Sequence, residues 1–251
     1  MIITFHSYKG GTGKTLLSSN LATVFADRGK KVCLLDLDFR APSLHVIFKN
    51  GKSEYWLNDY LNKVCEIDKV LTDCNYVAKG KMFVGLANPS TIAIREMVSK
   101  DRKWEMQALE RLFSLKNSLL NDMHFDYVIL DTSLGLQYSS INAIVIADLA
   151  LIVTSVDKSD VEGTQRMIHE LYELFEKKTG IIINKVPSEL PSSKRKPIKL
   201  ETNKLPIIGT IPCSCDILRA KIEYFFASKK PNHPFTKTLK EIATKIEHSV
   251  F

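Results

Sequence analysis

The order of apolar and glycine-rich stretches predicts an α/β chain, a single three-layer domain over residues 1–251 with a mostly parallel twisted sheet flanked by helices. Three observations carry this. The apolar strand Ile2-Ile3-Thr4-Phe5 runs into the turn Lys9-Gly10-Gly11-Thr12-Gly13-Lys14-Thr15, and the turn runs into residues 16–26, whose apolar side chains recur at helical spacing. Further apolar strands, at 31–38, 127–131 and 149–154, alternate with helical stretches, and two of them end in a carboxylate. A length of 251 residues suits one parallel-sheet domain, and the 45% apolar share is ordinary for a globular core.

A strand, glycine-rich turn and helix in this order are suited to phosphate. The glycines let backbone N–H groups turn inward around an anion, and the positive end of the helix dipole faces the same point. Lys14 is placed to reach the terminal phosphates, and the Thr15 hydroxyl to hold Mg²⁺. Tyr8 stands where the general P-loop pattern has its first glycine, and Lys9 is a second lysine where that pattern accepts any residue. Residues 9–15 resemble the deviant Walker A motif of the ParA/MinD ATPases, a family of P-loop NTPases that work as nucleotide-switched dimers. The resemblance implies ATP, a sandwich homodimer, and a Lys9 that crosses the interface to the partner's phosphates.

Composition sets the outer bounds. Five cysteines without a disulfide-framework spacing, and a strand where a signal peptide would begin, imply a reducing, cytoplasmic setting. No apolar run approaches the roughly 18 residues of a membrane span. The formal charge of +7, with a pI near 9.0, favours polyanionic surfaces without specifying one.

Taken in order, Gly29 is suited to cap the first helix, and residues 31–38 form a buried strand ending in Asp36-Leu37-Asp38. One of these two carboxylates is expected to face the nucleotide. The run Arg40-Ala41-Pro42-Ser43-Leu44 resembles the family's first switch loop, which makes Asp38 the residue that positions the attacking water. Residues 55–61 read as a short helix, and 82–87 as a strand stopped by Asn88-Pro89. One long helical stretch follows, with Trp104, Leu112, Leu115 and Leu119 on its apolar face and Arg95, Lys100, Arg102, Lys103 and Arg111 on a solvated one.

Tyr127-Val128-Ile129-Leu130-Asp131 is an apolar strand ending in an acid, the Walker B arrangement, with Asp131 holding Mg²⁺ through water. After it, Thr132-Ser133-Leu134-Gly135 resembles the family's second switch, with Ser133 where a proline is common. Later strands are expected at 149–154, 180–185 and 206–212, with a helix near 161–175. Asn184-Lys185 ends one of them, and Pro187 stands where guanine-specific proteins keep an acid. The resemblance assigns Asn184 to adenine and Pro212 to the turn that closes over the base. Lys194, Arg195, Lys196 and Lys199 lie in a Pro/Ser loop read as solvated, and Leu218-Arg219-Ala220 again resembles the family. A last helix, from Phe235 to about His248 with Leu239, Ile242, Ala243, Ile246 and Val250 on one stripe, is expected to pack on the domain, since the chain stops at Phe251 without a basic amphipathic tail.

The function this implies is a slowly hydrolysing, Mg²⁺-dependent ATPase switch used for spatial positioning or segregation, such as chromosome or plasmid partitioning or division-site placement. Lys9, Lys14 and Asp38 are its catalytic residues. A protein activator is expected, with non-specific DNA as a possible docking surface and membrane association disfavoured. The competing reading is a metal-loading or iron–sulfur assembly ATPase that pairs Cys213 and Cys215 across the dimer; against it, the two cysteines read as buried structural thiols. An amide-forming ligase is disfavoured by the two-lysine motif.

Overall fold

A computed structural model of the chain describes residues 1–48, 54–74, 79–172, 175, 177–187, 205–220 and 225–248. Strand β1 (Ile2–His6) leads through the glycine-rich turn to α1 (Lys14–Asp27) and β2 (Lys31–Leu37). Short helices α2 (Leu44–Ile47) and α3 (Leu57–Leu61) precede β3 (Thr72–Asp73) and β4 (Lys81–Gly85). Then come α4 (Thr91–Val98), α5 (Arg102–Asn117), β5 (Tyr127–Thr132), α6 (Tyr138–Ile146), β6 (Leu149–Thr154), α7 (Lys158–Met167) and β7 (Thr179–Val186). The chain closes with β8 (Ile207–Pro212), α8 (Cys215–Arg219), α9 (Phe226–Lys229) and α10 (Pro234–Glu247).

The sheet order is β3-β4-β2-β5-β1-β6-β7-β8, parallel throughout except for the β3–β4 edge pair. β1 therefore sits between β5 and β6, and the turn after it opens at the carboxyl edge of the sheet centre, where open α/β sheets bind ligands. Both faces are covered, which is why β1, β2, β5 and β6 read as continuous apolar runs. On one face Leu17, Leu21 and Phe25 of α1 share a core with Phe235, Leu239, Ile242 and Ile246 of α10. On the other, Leu57 and Tyr60 of α3, Leu112 and Leu115 of α5, and Ala143 of α6 cover β2 and β5.

The terminal helix packs on the domain as expected. Five buried apolar side chains, Phe235, Leu239, Ile242, Ala243 and Ile246, anchor it, a burial worth on the order of 10 kcal/mol, so this face is not available to a lipid surface without unfolding. Among the described residues no helix is long and apolar enough to cross a membrane. Val250, Phe251 and the basic loop carrying Lys194, Arg195, Lys196 and Lys199 lie outside the described residues.

Two expectations are corrected. The long helix after Pro89 is two helices, because Ser90 and Asp101 each start one by accepting a backbone N–H, from Ala93 at 3.2 Å and Trp104 at 2.8 Å. Apolar periodicity runs through that break and hides it. Arg111 is not a solvated charge: its guanidinium lies 4.1 Å from the Tyr60 ring centre and donates to the Tyr60 and Cys65 carbonyls, fastening α3 to α5.

Candidate nucleotide site

Gly13 ends the turn with φ 99°, a left-handed conformation that glycine adopts without strain, and a Cβ there would stand 2.4 Å from Asn184 Nδ2. That closeness is used. Asn184 Nδ2 donates to the Thr12 carbonyl at 2.7 Å, and Lys185 Nζ donates to the Gly11 carbonyl at 2.6 Å. The end of β7 thus engages two carbonyls of the turn, the arrangement expected of a turn whose N–H groups serve an anion. Pro212, opposite Val186 at the end of β8, borders the same edge.

Lys14 is buried, and its ammonium donates to Ser7 Oγ at 2.7 Å. Burial lowers its pKa, while the charges of Asp131, Asp38 and Asp160 pull it back up, so three carboxylates share the space around this cation. Thr15, at the start of α1, has its hydroxyl 3.4 Å from Ser43 Oγ of the loop after β2.

Asp36 is in register with Asp131 on the neighbouring strand, and Asp38 lies just past the end of β2. Of the two, Asp38 is the one whose charge acts on Lys14, whereas Asp36 turns to the backbone of its own loop. Asp36 accepts from the backbone N–H of Asp38 at 3.1 Å and of Leu44 at 3.3 Å, holding the loop between them; Asp38 in turn accepts from Ala41 N at 3.1 Å. Asp131 is fully buried; no donor meets either of its oxygens in good hydrogen-bond geometry, although the Thr15 and Ser18 hydroxyls stand close enough to favour its charged form. Burial pushes its pKa up to about 6, opposed by the nearby Thr15 and Ser18 hydroxyls and by Lys14.

Lys9 folds back onto its own chain, with its ammonium 3.1 Å from Asp157 Oδ1 and also bonded to Ser159. Asp157 is the N-cap of α7, accepting from Asp160 N at 3.1 Å, and the Ser159 and Lys9 donors hold its carboxyl down to about 2. Tyr8 is accommodated by α7 as well: a Cβ on Gly163 would fall 2.0 Å from the Tyr8 ring, so this tyrosine requires that glycine.

Three residues escape a sequence reading. Asp160 is buried against Ser155, with one oxygen unpartnered, and its field reaches Lys14; the Asp157-x-x-Asp160 spacing of a helix start was its only sequence signal. His6 and Tyr172 meet at 2.7 Å across 166 positions of sequence, which no local pattern announces. Cys213 and Cys215, expected as buried thiols, are both exposed, because they begin the loop and helix beyond β8 instead of continuing the strand.

Residues 1–184 match the family model described as an AAA domain. The chain belongs to the ParA/MinD family of P-loop ATPases. It is 29% identical to the septum site-determining protein MinD of Thermotoga maritima over 98% of this chain and 87% of that one. To the septum site-determining protein MinD of Helicobacter pylori it is 30% identical over 88% of this chain and 81% of that one. The fold matches the septum site-determining protein MinD of Pyrococcus horikoshii, solved with Mg-ADP, with a TM-score of 0.78 at 19% identity, covering 99% of this chain and 96% of that one. In this ParA/MinD chain the Gly10–Thr15 turn, Lys14 and Asp131 stand together at the centre of the sheet.

Proposed function

We propose that this chain is an ATP-driven dimerisation switch used for spatial positioning or segregation. The observation that carries the reading is Asp131, a buried carboxylate beside Lys14 and Thr15 that no donor meets in good hydrogen-bond geometry. Left alone, such a group is costly; a divalent cation with its water shell relieves it, so the residues present fit Mg²⁺ held by Thr15 and, through water, by Asp131. When bound, the ion neutralises charge on the nucleotide's terminal phosphates. The Mg-ADP seen in the Pyrococcus horikoshii relative supports the assignment.

The chain's own residues take these roles. Backbone N–H groups of Gly10, Gly11, Thr12 and Gly13 hold the phosphates, and Lys14 exchanges Ser7 for a phosphate oxygen. Asp38, half-buried beside Lys14, orients the attacking water. Asn184, already fixed to the turn, presents the rest of its amide to adenine, and Pro212 borders the base. Lys9 leaves an exposed ion pair, which is readily given up, to reach a second chain's phosphates. Without a strong general base, turnover is slow until a protein partner acts.

The excess positive charge favours DNA over a membrane as the docking surface, since α10 is committed to the core. Retention on non-specific double-stranded DNA with ATP, with ADP and without nucleotide, at two salt concentrations, tests this. ATP-only, salt-sensitive retention that disappears in Lys9→Ala supports it. Equal retention in all three states, or none, sinks the DNA assignment. The metal-loading alternative keeps one observation, the exposure of Cys213 and Cys215; among the described residues one chain by itself brings together no group of three or more His, Cys, Asp and Glu side chains that could hold a metal.

A further inference from the structure

We infer that His6 and Tyr172 form a positioning pair that sets the loop after Asp131 over the phosphate site and so governs the hydrolytic step. The inference rests on the ATPase reading above. His6 ends β1, the strand that feeds the phosphate-binding turn, and has no exposed surface. A buried imidazole is tolerated only with both nitrogens satisfied. Here Nδ1 lies 2.7 Å from the Tyr172 hydroxyl and Nε2 lies 2.8 Å from the Gly135 carbonyl. A carbonyl only accepts, so Nε2 carries the proton and Nδ1 accepts from the tyrosine. Burial, reinforced by nearby Lys14, keeps the ring neutral by lowering its pKa to about 4, and each nitrogen therefore keeps one role.

What the ring holds is the second switch loop. Gly135 gives its carbonyl to His6 and its N–H to the Ser7 carbonyl at 2.9 Å, so two consecutive residues at the end of β1 clasp it. The same loop lies against the phosphate-binding turn: a Cβ on Gly10 would be 3.2 Å from Leu134 Cδ2. A shift at Gly135 is therefore transmitted to the backbone that cradles the phosphates. At the other end, Tyr172 closes a π-helical turn, Ile168–Tyr172, that continues α7. The wider π turn re-aims the side chain at that position, and such turns recur at functional sites. α7 thus touches three residues of one short segment: His6 through Tyr172, Tyr8 through Gly163, and Lys9 through Asp157.

Without the tyrosine hydroxyl, Nδ1 has no donor and the ring loses the contact that aims Nε2 at Gly135. Tyr172→Phe should speed hydrogen exchange at the Gly135 amide by about tenfold, the value of one hydrogen bond, while amides of β1 and β5 keep their protection. It should also lower the ATP turnover rate by about tenfold with the ATP dissociation constant changed less than about twofold. His6→Gln keeps a donor near the Nε2 position and should retain most of the Gly135 protection. Unchanged exchange at Gly135 in Tyr172→Phe overturns the proposal. So does loss of protection spread evenly over β1 and β5, which marks a merely structural role. Absence of ATP turnover in the wild-type chain overturns the ATPase reading and the hydrolytic half of this inference, whereas exchange at Gly135 decides the tie itself.

Discussion

Asp36 and Asp131 occupy matched positions on neighbouring strands, both wholly buried, and are treated in opposite ways by the chain around them. Asp36 receives two backbone N–H groups and so fastens the loop from Asp38 to Leu44. Asp131 receives none, although both carboxyls are pushed upward in pKa by burial first of all. The same residue type at the same depth is a structural acceptor of backbone N–H groups at the end of β2, while at the end of β5 it has only the nearby Thr15 and Ser18 hydroxyls and Lys14 to favour its charge. On the proposed function, the difference separates a fold-holding acid from one that would serve a ligand.

The comparison can be broken most sharply at Asp131. Asp131→Asn should weaken Mg-dependent ATP binding by about 10–100-fold, the usual cost of losing a group that acts on a metal through its water. In the same variant the nucleotide-free protein should become more stable at pH 7, by up to about 3 kcal/mol, because a carboxyl raised to about 6 is charged at a cost there. The gain should shrink as pH falls below about 6 and the wild-type group takes up its proton. Calorimetric titration and urea melts read the two effects.

A second term belongs to His6. Its folded pKa of about 4 lies below the 6.5 of the unfolded chain, so nothing is lost above pH 6.5. As pH falls from 6.5 toward 4 the unfolded chain binds a proton that the folded chain refuses, and stability drops by up to about 3 kcal/mol. In His6→Gln that part of the slope should vanish, as urea melts at pH 7, 5.5 and 4.5 would register. At the other carboxylate, Asp36→Ala should act locally, speeding exchange at the Asp38 and Leu44 amides by about tenfold with less effect on β5. Wild-type rates at both amides would remove the structural half of the comparison.

What could be read in advance follows from how local each signal is. The turn at Lys9–Thr15, the Asp131 strand end and the Asn184-Lys185 pair are short contiguous patterns whose chemistry depends on neighbours in sequence, and they meet where expected. Asn184 shows the limit: its visible bond is to the Thr12 carbonyl, a contact across 172 positions that its sequence context does not contain. Gly163 carries no signal by itself, since its meaning comes from the Tyr8 ring above it. Arg111 reads as a surface charge until α3 lies beneath it. The helix break at residues 99–101 was present in the capping residue Asp101 but masked by unbroken apolar spacing.

The proposed switch is an ATP-gated dimer in which Lys9 exchanges Asp157 for a partner's phosphate. Sedimentation velocity of the wild-type chain and of Lys9→Ala, each with Mg-ATP, Mg-ADP and no nucleotide, tests it most directly. The wild type should be a dimer with Mg-ATP only, and Lys9→Ala a monomer in all three conditions with its melting temperature little changed, since the lost ion pair is exposed. A monomer in every condition, or a dimer indifferent to nucleotide and to Lys9, would contradict it.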